Sequence, residues 1–132
     1  MVGWDTDFEV GIESIDHQHR QLIDLANLVV AAVDEKKGAA VIDNTVKALV
    51  AYTEHHFRNE EALMQERKIL NMQGHFEEHI RLAKDLDDIA QDNTDKERLA
   101  RRVREWLVNE LVPHILVIDK RTFKTGNAAS AF

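Results

Sequence analysis

This chain has no cysteine, a single proline and five glycines in 132 residues. Each scarcity excludes something. Without cysteine there is no disulfide, no thiolate metal site and no cysteine nucleophile. That composition suits a reducing compartment and predicts a cytoplasmic protein. So few breakers argue against many short strands and for long helices. No stretch approaches the roughly 20 unbroken apolar residues of a membrane span. The N-terminus shows no basic segment followed by an apolar run, so no secretory signal is visible. The net charge of −7 lacks the basic face of a nucleic-acid binder. Basic residues do gather at Lys96, Arg98, Arg101, Arg102 and Arg104, but directly after the acidic run Asp85, Asp87, Asp88, Asp92, Asp95. That reads as a solvated surface of both signs, not a docking patch.

What is present is helical patterning. With 44% hydrophobic and 31% charged residues, the chain suits one domain over residues 1–132 with a real core. Residues 1–15 place Trp4, Phe8, Val10, Ile12 and Ile15 without a helical period and read as an extended arm. A first helix is expected to start between Ser14 and Asp16, either a competent cap. Its inward stripe is Ile15, His19, Leu22, Ala26, Val29, Val33. Lys36, Lys37 and Gly38 offer a cationic last turn and a left-handed stop. A second helix, about Ala40 to Arg67, carries Ile42, Val46, Leu49, Thr53, His56, Glu60 and Leu63 inward. Asn71 is a candidate cap for a third, whose stripe is Met72, His75, His79, Leu82, Leu86, Ile89. Thr94-x-x-Glu97 matches a capping box ahead of a fourth helix with Leu99, Val103, Trp106 and Leu107 on its apolar face. Pro113 should kink or restart that helix. Residues 126–132 read as a frayed tail. Four helices with short connections predict an all-α, antiparallel up-down-up-down four-helix bundle.

Five of the seven histidines fall on inward stripes: His19, His56, His75, His79 and His114. His17 and His55 point elsewhere and read as surface residues. His56 and Glu60 stand one turn apart on one face, as do His75 and His79. His114 and Asp119 are five apart, about 140° on a straight α-helix, so they would flank the seam. Uncompensated, five buried imidazoles and two buried carboxylates would cost several kcal/mol per group. A metal turns that cost into binding energy. In an antiparallel bundle the positions also converge at one end: early in helices one and three, late in helices two and four. Seven ligands exceed the four of a zinc site. Two octahedral ions offer twelve positions. Five histidines, two bridging carboxylates and a bridging hydroxide or water fill all but one, and mixed imidazole–carboxylate ligation with a vacancy suits iron.

With these residues in hand, the chain resembles the hemerythrin family, in particular its single-domain bacterial members. The resemblance rests on Trp4, Gly11-Ile12, Ile15-Asp16-x-Gln18-His19 and His56-Phe57-x-x-Glu60-Glu61. It continues through His75-x-x-x-His79, Trp106-Leu107 and His114-Ile115-x-x-x-Asp119. Myohemerythrin is itself a standard four-helix bundle, so the fold comes with the family. The resemblance implies two iron ions: His75, His79 and His114 on one, His19 and His56 on the other, Glu60 and Asp119 bridging. It implies reversible dioxygen binding, each ferrous ion giving one electron, without turnover of a carbon substrate. Azide or nitric oxide would be further ligands. One departure stands out. Where bacterial relatives place the last histidine, this chain has Glu110, and its histidine comes one turn later at His114. His114 and Asp119 are read as the ligands across a one-turn insertion, with Glu110 the alternative. Leu22, Phe57 and Ile115 are the expected oxygen-pocket residues.

Four readings compete, the last and blandest a bundle with a purely structural metal. Oxygen storage, delivery or buffering leads. A sensor of oxygen, nitric oxide or redox state is second, set back by the lack of a signalling domain in this chain. A di-iron oxidase or peroxidase is third, since carboxylate-rich ferritin-like centres use two Glu-x-x-His motifs and more acids.

Overall fold

A computed structural model describes residues 2–92 and 95–125. Helix α1 spans Glu13–Asp34, α2 Ala39–Glu66, α3 Met72–Gln91 and α4 Lys96–Trp106. Beyond Trp106 the helical path continues to Thr125 through π-helical turns at Leu107–Leu111, His114–Asp119 and Arg121–Thr125. α1 packs on α2 and α4, while α3 packs on α2 and α4, closing the ring of an antiparallel four-helix bundle.

The apolar stripes do what their spacing demands. Leu22, Ala26, Leu49, Leu86, Leu99, Val103 and Trp106 are buried in one large core cluster. Met64, Ile69, Val10, Ile15 and Phe123 form a second. Met64, not Leu63, is the fully buried residue late in α2. The indole Nε1 of Trp106 donates to the Leu82 carbonyl at 3.1 Å, tying α4 to α3 inside the core.

Helix ends differ from expectation in instructive ways. α1 starts at Glu13 with no side-chain cap. Asp16, inside its first turn, instead accepts from Val10 N–H at 2.7 Å and Gly11 N–H at 3.3 Å, which binds the arm to the helix. The arm itself is not wholly extended: Thr6–Phe8 form a short 3₁₀ turn capped by Asp5. The left-handed stop of α1 is Lys36 (φ 57°), not Gly38. Lys37 N–H reaches the Ala32 carbonyl and Lys36 N–H the Val33 carbonyl, a Schellman closure, which leaves Gly38 free to start α2. α2 closes the same way, with Lys68 left-handed and Ile69 N–H on the Met64 carbonyl. Asn71 does sit at the start of α3, but in the left-handed region and without a capping bond. Thr94 lies outside the described residues, and Asp95 caps α4 by accepting from Glu97 and Arg98 N–H. The expected mixed-charge surface takes the form of Arg98 and Arg102 pairing with Asp92.

Across Pro113 the backbone stays helical, and a new π-helical segment starts at His114 with Pro113 at its N-cap, the restart expected there. Trp106, Val112, Pro113 and Lys120 all keep right-handed helical dihedrals. An α turn would press the proline ring against the carbonyl four residues back. The π turn at Leu107–Leu111 widens the helix there, and Val112 N–H bonds five residues back to Leu107. Proline is accommodated by changing the turn, not by breaking it.

Candidate metal centre

All seven expected ligands lie together at one end of the bundle, each at most 5% exposed. They form two groups whose ligand atoms lie within 4.8 Å of one another. Glu60, His75, His79, His114 and Asp119 make one; His19, His56, Glu60 and Asp119 make the other. Glu60 and Asp119 belong to both.

Each helix contributes by its own periodicity. Early in α1, His19 follows Ile15 by one turn. Late in α2, His56 and Glu60 stack at i, i+4, as do His75 and His79 in the first turns of α3. His114 and Asp119 come from the π segment. There i→i+5 bonding brings residues five apart nearly above one another, so the pair shares a face that an α-helix would deny it.

The two carboxylates are divided between the histidine groups, oxygen by oxygen. Glu60 Oε1 lies 2.9 Å from His75 Nε2 and 3.0 Å from His79 Nε2. Its Oε2 lies 3.0 Å from His56 Nε2 and 3.4 Å from His19 Nε2. Asp119 Oδ1 lies 2.9 Å from His75 Nε2 and 3.1 Å from His114 Nε2, and its Oδ2 is 3.0 Å from His19 Nε2. Every imidazole presents Nε2 inward.

The outer nitrogens are held in turn. His56 Nδ1–H donates to Gln18 Oε1, His75 Nδ1–H to Thr122 Oγ1 and His79 Nδ1–H to the Glu61 carboxylate, each at 2.7 Å. Such partners fix the tautomer that leaves Nε2 a lone pair for a metal. For His114 Nδ1 the neighbouring carboxylate is Glu78, at 3.8 Å. Phe57 stacks on His79 at 4.1 Å and also lies against His56 and His114. Leu22 and Ile115 are fully buried in the main core cluster.

Charge in so dry a place is distributed sharply. Burial and the Glu60 charge push Asp119 up, but His114 and His19 outweigh them and hold it at about 2. Burial likewise opposes ionisation of Glu60, yet the surrounding imidazoles hold it well below the carboxylate range. Burial lowers His19 and His75, but the carboxylates of Asp119 and Glu60 beside them prevail and raise both to about 9. For His56 burial wins, and its pKa falls.

Hydrogen bonding among the seven does not satisfy them. The Nε2 atoms of His19, His56 and His114, Glu60 Oε2 and both Asp119 oxygens are buried without a hydrogen-bond partner. Each such atom costs about 1–3 kcal/mol, and the cost falls on the atoms that face one another. Inward lone pairs, a shared pair of ionised carboxylates and tautomer-fixing outer partners make a donor set that could hold a metal.

Glu110 is not part of this set. It lies on the surface, where it accepts from Arg81 Nη1 at 2.7 Å. His17 and His55 are exposed, as their phase on the helices requires. Of the outer partners, Gln18 and Glu61 stood inside recognised motifs without an assigned role. Thr122 and Glu78 were missed. The signal was there in spacing: each lies three residues after a ligand, Asp119 and His75.

The profile of the family described as "Hemerythrin HHE cation binding domain" matches residues 10–125. A bacteriohemerythrin of Clostridium acetobutylicum is 26% identical over 125 residues, 91% of this chain and 97% of that one. One of Methylococcus capsulatus is 30% identical over 124 residues, covering 86% and 87%. One of Pseudomonas paraeruginosa is 38% identical over 63 residues, 48% of this chain, and there the match spans only 40% of the relative's length. No solved structure matches. Among the described residues no helix is long and apolar enough to cross a membrane. A four-helix bundle with a buried His/Glu/Asp cluster at one end, matched over residues 10–125, places this chain in the hemerythrin family.

Proposed function

We propose that this chain binds dioxygen reversibly at two iron ions, for storage, delivery or buffering in the cytoplasm. His75, His79 and His114 serve one ion, His19 and His56 the other, and Glu60 and Asp119 bridge. The carrying observation is the division of each carboxylate. Glu60 Oε1 and Asp119 Oδ1 face the three-histidine group, while Glu60 Oε2 and Asp119 Oδ2 face the two-histidine group. When bound, the iron pair supplies two electrons and one open position, on the side with fewer imidazoles.

The chain supplies the rest. Gln18, Thr122 and Glu61 hold three imidazoles by their outer nitrogens. Leu22, Phe57 and Ile115 form the apolar wall that keeps water from the open position. Binding without turnover is supported by the local inventory. Each buried acid and imidazole of the cluster is a ligand, and the flanking carboxylates Glu61 and Glu78 are engaged by His79 and Arg81. Among the described residues of the cluster none is left over as a general acid or base for a second substrate. Azide and nitric oxide would compete for the same position.

The test is anaerobic loading with ferrous iron, then alternating air and argon. Visible charge-transfer bands should appear in air and vanish under argon over several cycles. Rapid one-way conversion to the diferric form would overturn carriage and favour an oxidase, peroxidase or sensor.

A further inference from the structure

A cleft of about 510 Å³ lies beside the metal centre, between the α2–α3 turn, the first turn of α3 and the last π turn. Its size falls in the range of small-molecule sites, roughly 300–1,000 Å³. One wall is apolar, from Met64, Ile69 and Ile118; the other is polar, from Asn71, Arg121 and Thr122. Two observations set its chemistry. Arg121 has no ion-pair or hydrogen-bond partner among the described residues, whereas the other charged group on the cleft, Glu78, is already neutralised by Arg81 at 2.7 Å. The unspent charge of the cleft is therefore positive, and the first turn of α3, which opens on it without an acidic residue, adds the same sign.

The cleft also touches the centre. Both His75 and Thr122 line it. His75 presents Nε2 to Glu60 and Asp119 at 2.9 Å and Nδ1 to Thr122 at 2.7 Å. The cleft is therefore lined both by a ligand-candidate imidazole and by the residue whose hydroxyl holds its outer nitrogen.

We propose that this cleft binds a small organic acid with an apolar body, a medium-chain aliphatic carboxylate. Its carboxylate lies on Arg121 and its tail against Met64, Ile69 and Ile118, and its occupancy reaches the metal centre through the Thr122–His75 bond. The cleft exists whatever gas the centre carries. A chain that binds the acid but not dioxygen would overturn carriage alone.

The probe is octanoate, titrated into the full-length, zinc-loaded protein by calorimetry and by NMR of the histidine rings. One octanoate per chain should bind, at least about tenfold more tightly than neutral octanol, as loss of a charge-assisted bond implies. A Cβ at Gly74 meets no heavy atom within 4 Å. Gly74→Trp therefore folds, as circular dichroism will show, and fills the cleft, abolishing binding. Arg121→Gln should weaken octanoate about tenfold and leave octanol unchanged. Octanoate should move the His75 ring resonances by more than those of His17 and His55, which do not line the cleft. Equal affinity for octanol, undiminished binding to Gly74→Trp, no binding at millimolar octanoate, or binding that leaves His75 unmoved would each overturn the proposal.

Discussion

His114 and Asp119 stand five residues apart and meet at 3.1 Å, Nε2 to Oδ1, across one π-helical turn. On an α-helix they would point about 140° apart. The i→i+5 bonding of this segment puts both on the ligand face. Glu110, one turn earlier, faces Arg81 outside the centre.

The first prediction concerns that register. His114→Ala should lower bound iron to half or less, while Glu110→Ala should retain two irons per chain. The Glu110–Arg81 pair is partly exposed, so its loss should cost no more than about 1 kcal/mol. Iron quantification and urea unfolding measure both. Iron loss in Glu110→Ala with both irons kept in His114→Ala would put the ligand at Glu110.

Glu60 is the next position to test. Each of its oxygens faces a different histidine group, so Glu60→Ala should remove a bridge and bring iron to half or less. Two tightly held irons in that variant would refute bridging.

Protons should leave when metal enters. In the metal-free protein His19 and His75, at about 9, are charged at neutral pH, whereas His56, with its lowered pKa, is not. Ligation needs neutral imidazoles. Loading at pH 7 should therefore release about two protons per chain from this pair, and affinity should rise with pH until about 9. Calorimetry in buffers of different ionisation enthalpy counts the protons; release of none would contradict the picture. The sign for stability follows. The raised pair stabilises the metal-free fold fully below 6.5, and that contribution is lost as pH climbs through about 9. Asp119 stabilises above 3.8 and loses its contribution as pH falls through about 2. His56 works the other way, penalising the fold below 6.5.

Outer partners should matter nearly as much as ligands. Gln18→Ala, Glu61→Ala and Thr122→Val each free an Nδ1, and each should weaken metal binding about 10–100-fold in chelator competition. His17→Ala, exposed and one residue from Gln18, is the control and should change nothing. Unaltered affinity in all three variants would remove the tautomer-fixing role.

Much of this was legible in the residues alone. The stripe carrying His19 between Ile15 and Leu22, and the i, i+4 pairs His56/Glu60 and His75/His79, expose their burial because a helix repeats every 3.6 residues. The helix stops were less legible. Lys36, not Gly38, takes the left-handed turn, because the Schellman bonds and the start of α2 compete for adjacent residues. Gln18 and Thr122 have ordinary local contexts. They act on His56 and His75 across 38 and 47 residues of sequence, and local spacing does not say which imidazole each will meet.

The sequence by itself determined that four amphipathic helices would form and which imidazoles and carboxylates would face inward, since both follow from local periodicity and the cost of burying polar groups. Only the tertiary structure decided how Glu60 and Asp119 share their oxygens, which side chains hold the outer nitrogens, and that π turns flank Pro113. Those depend on helices remote in sequence packing at fixed depth, where the backbone adopts the turn that satisfies the most contacts at once.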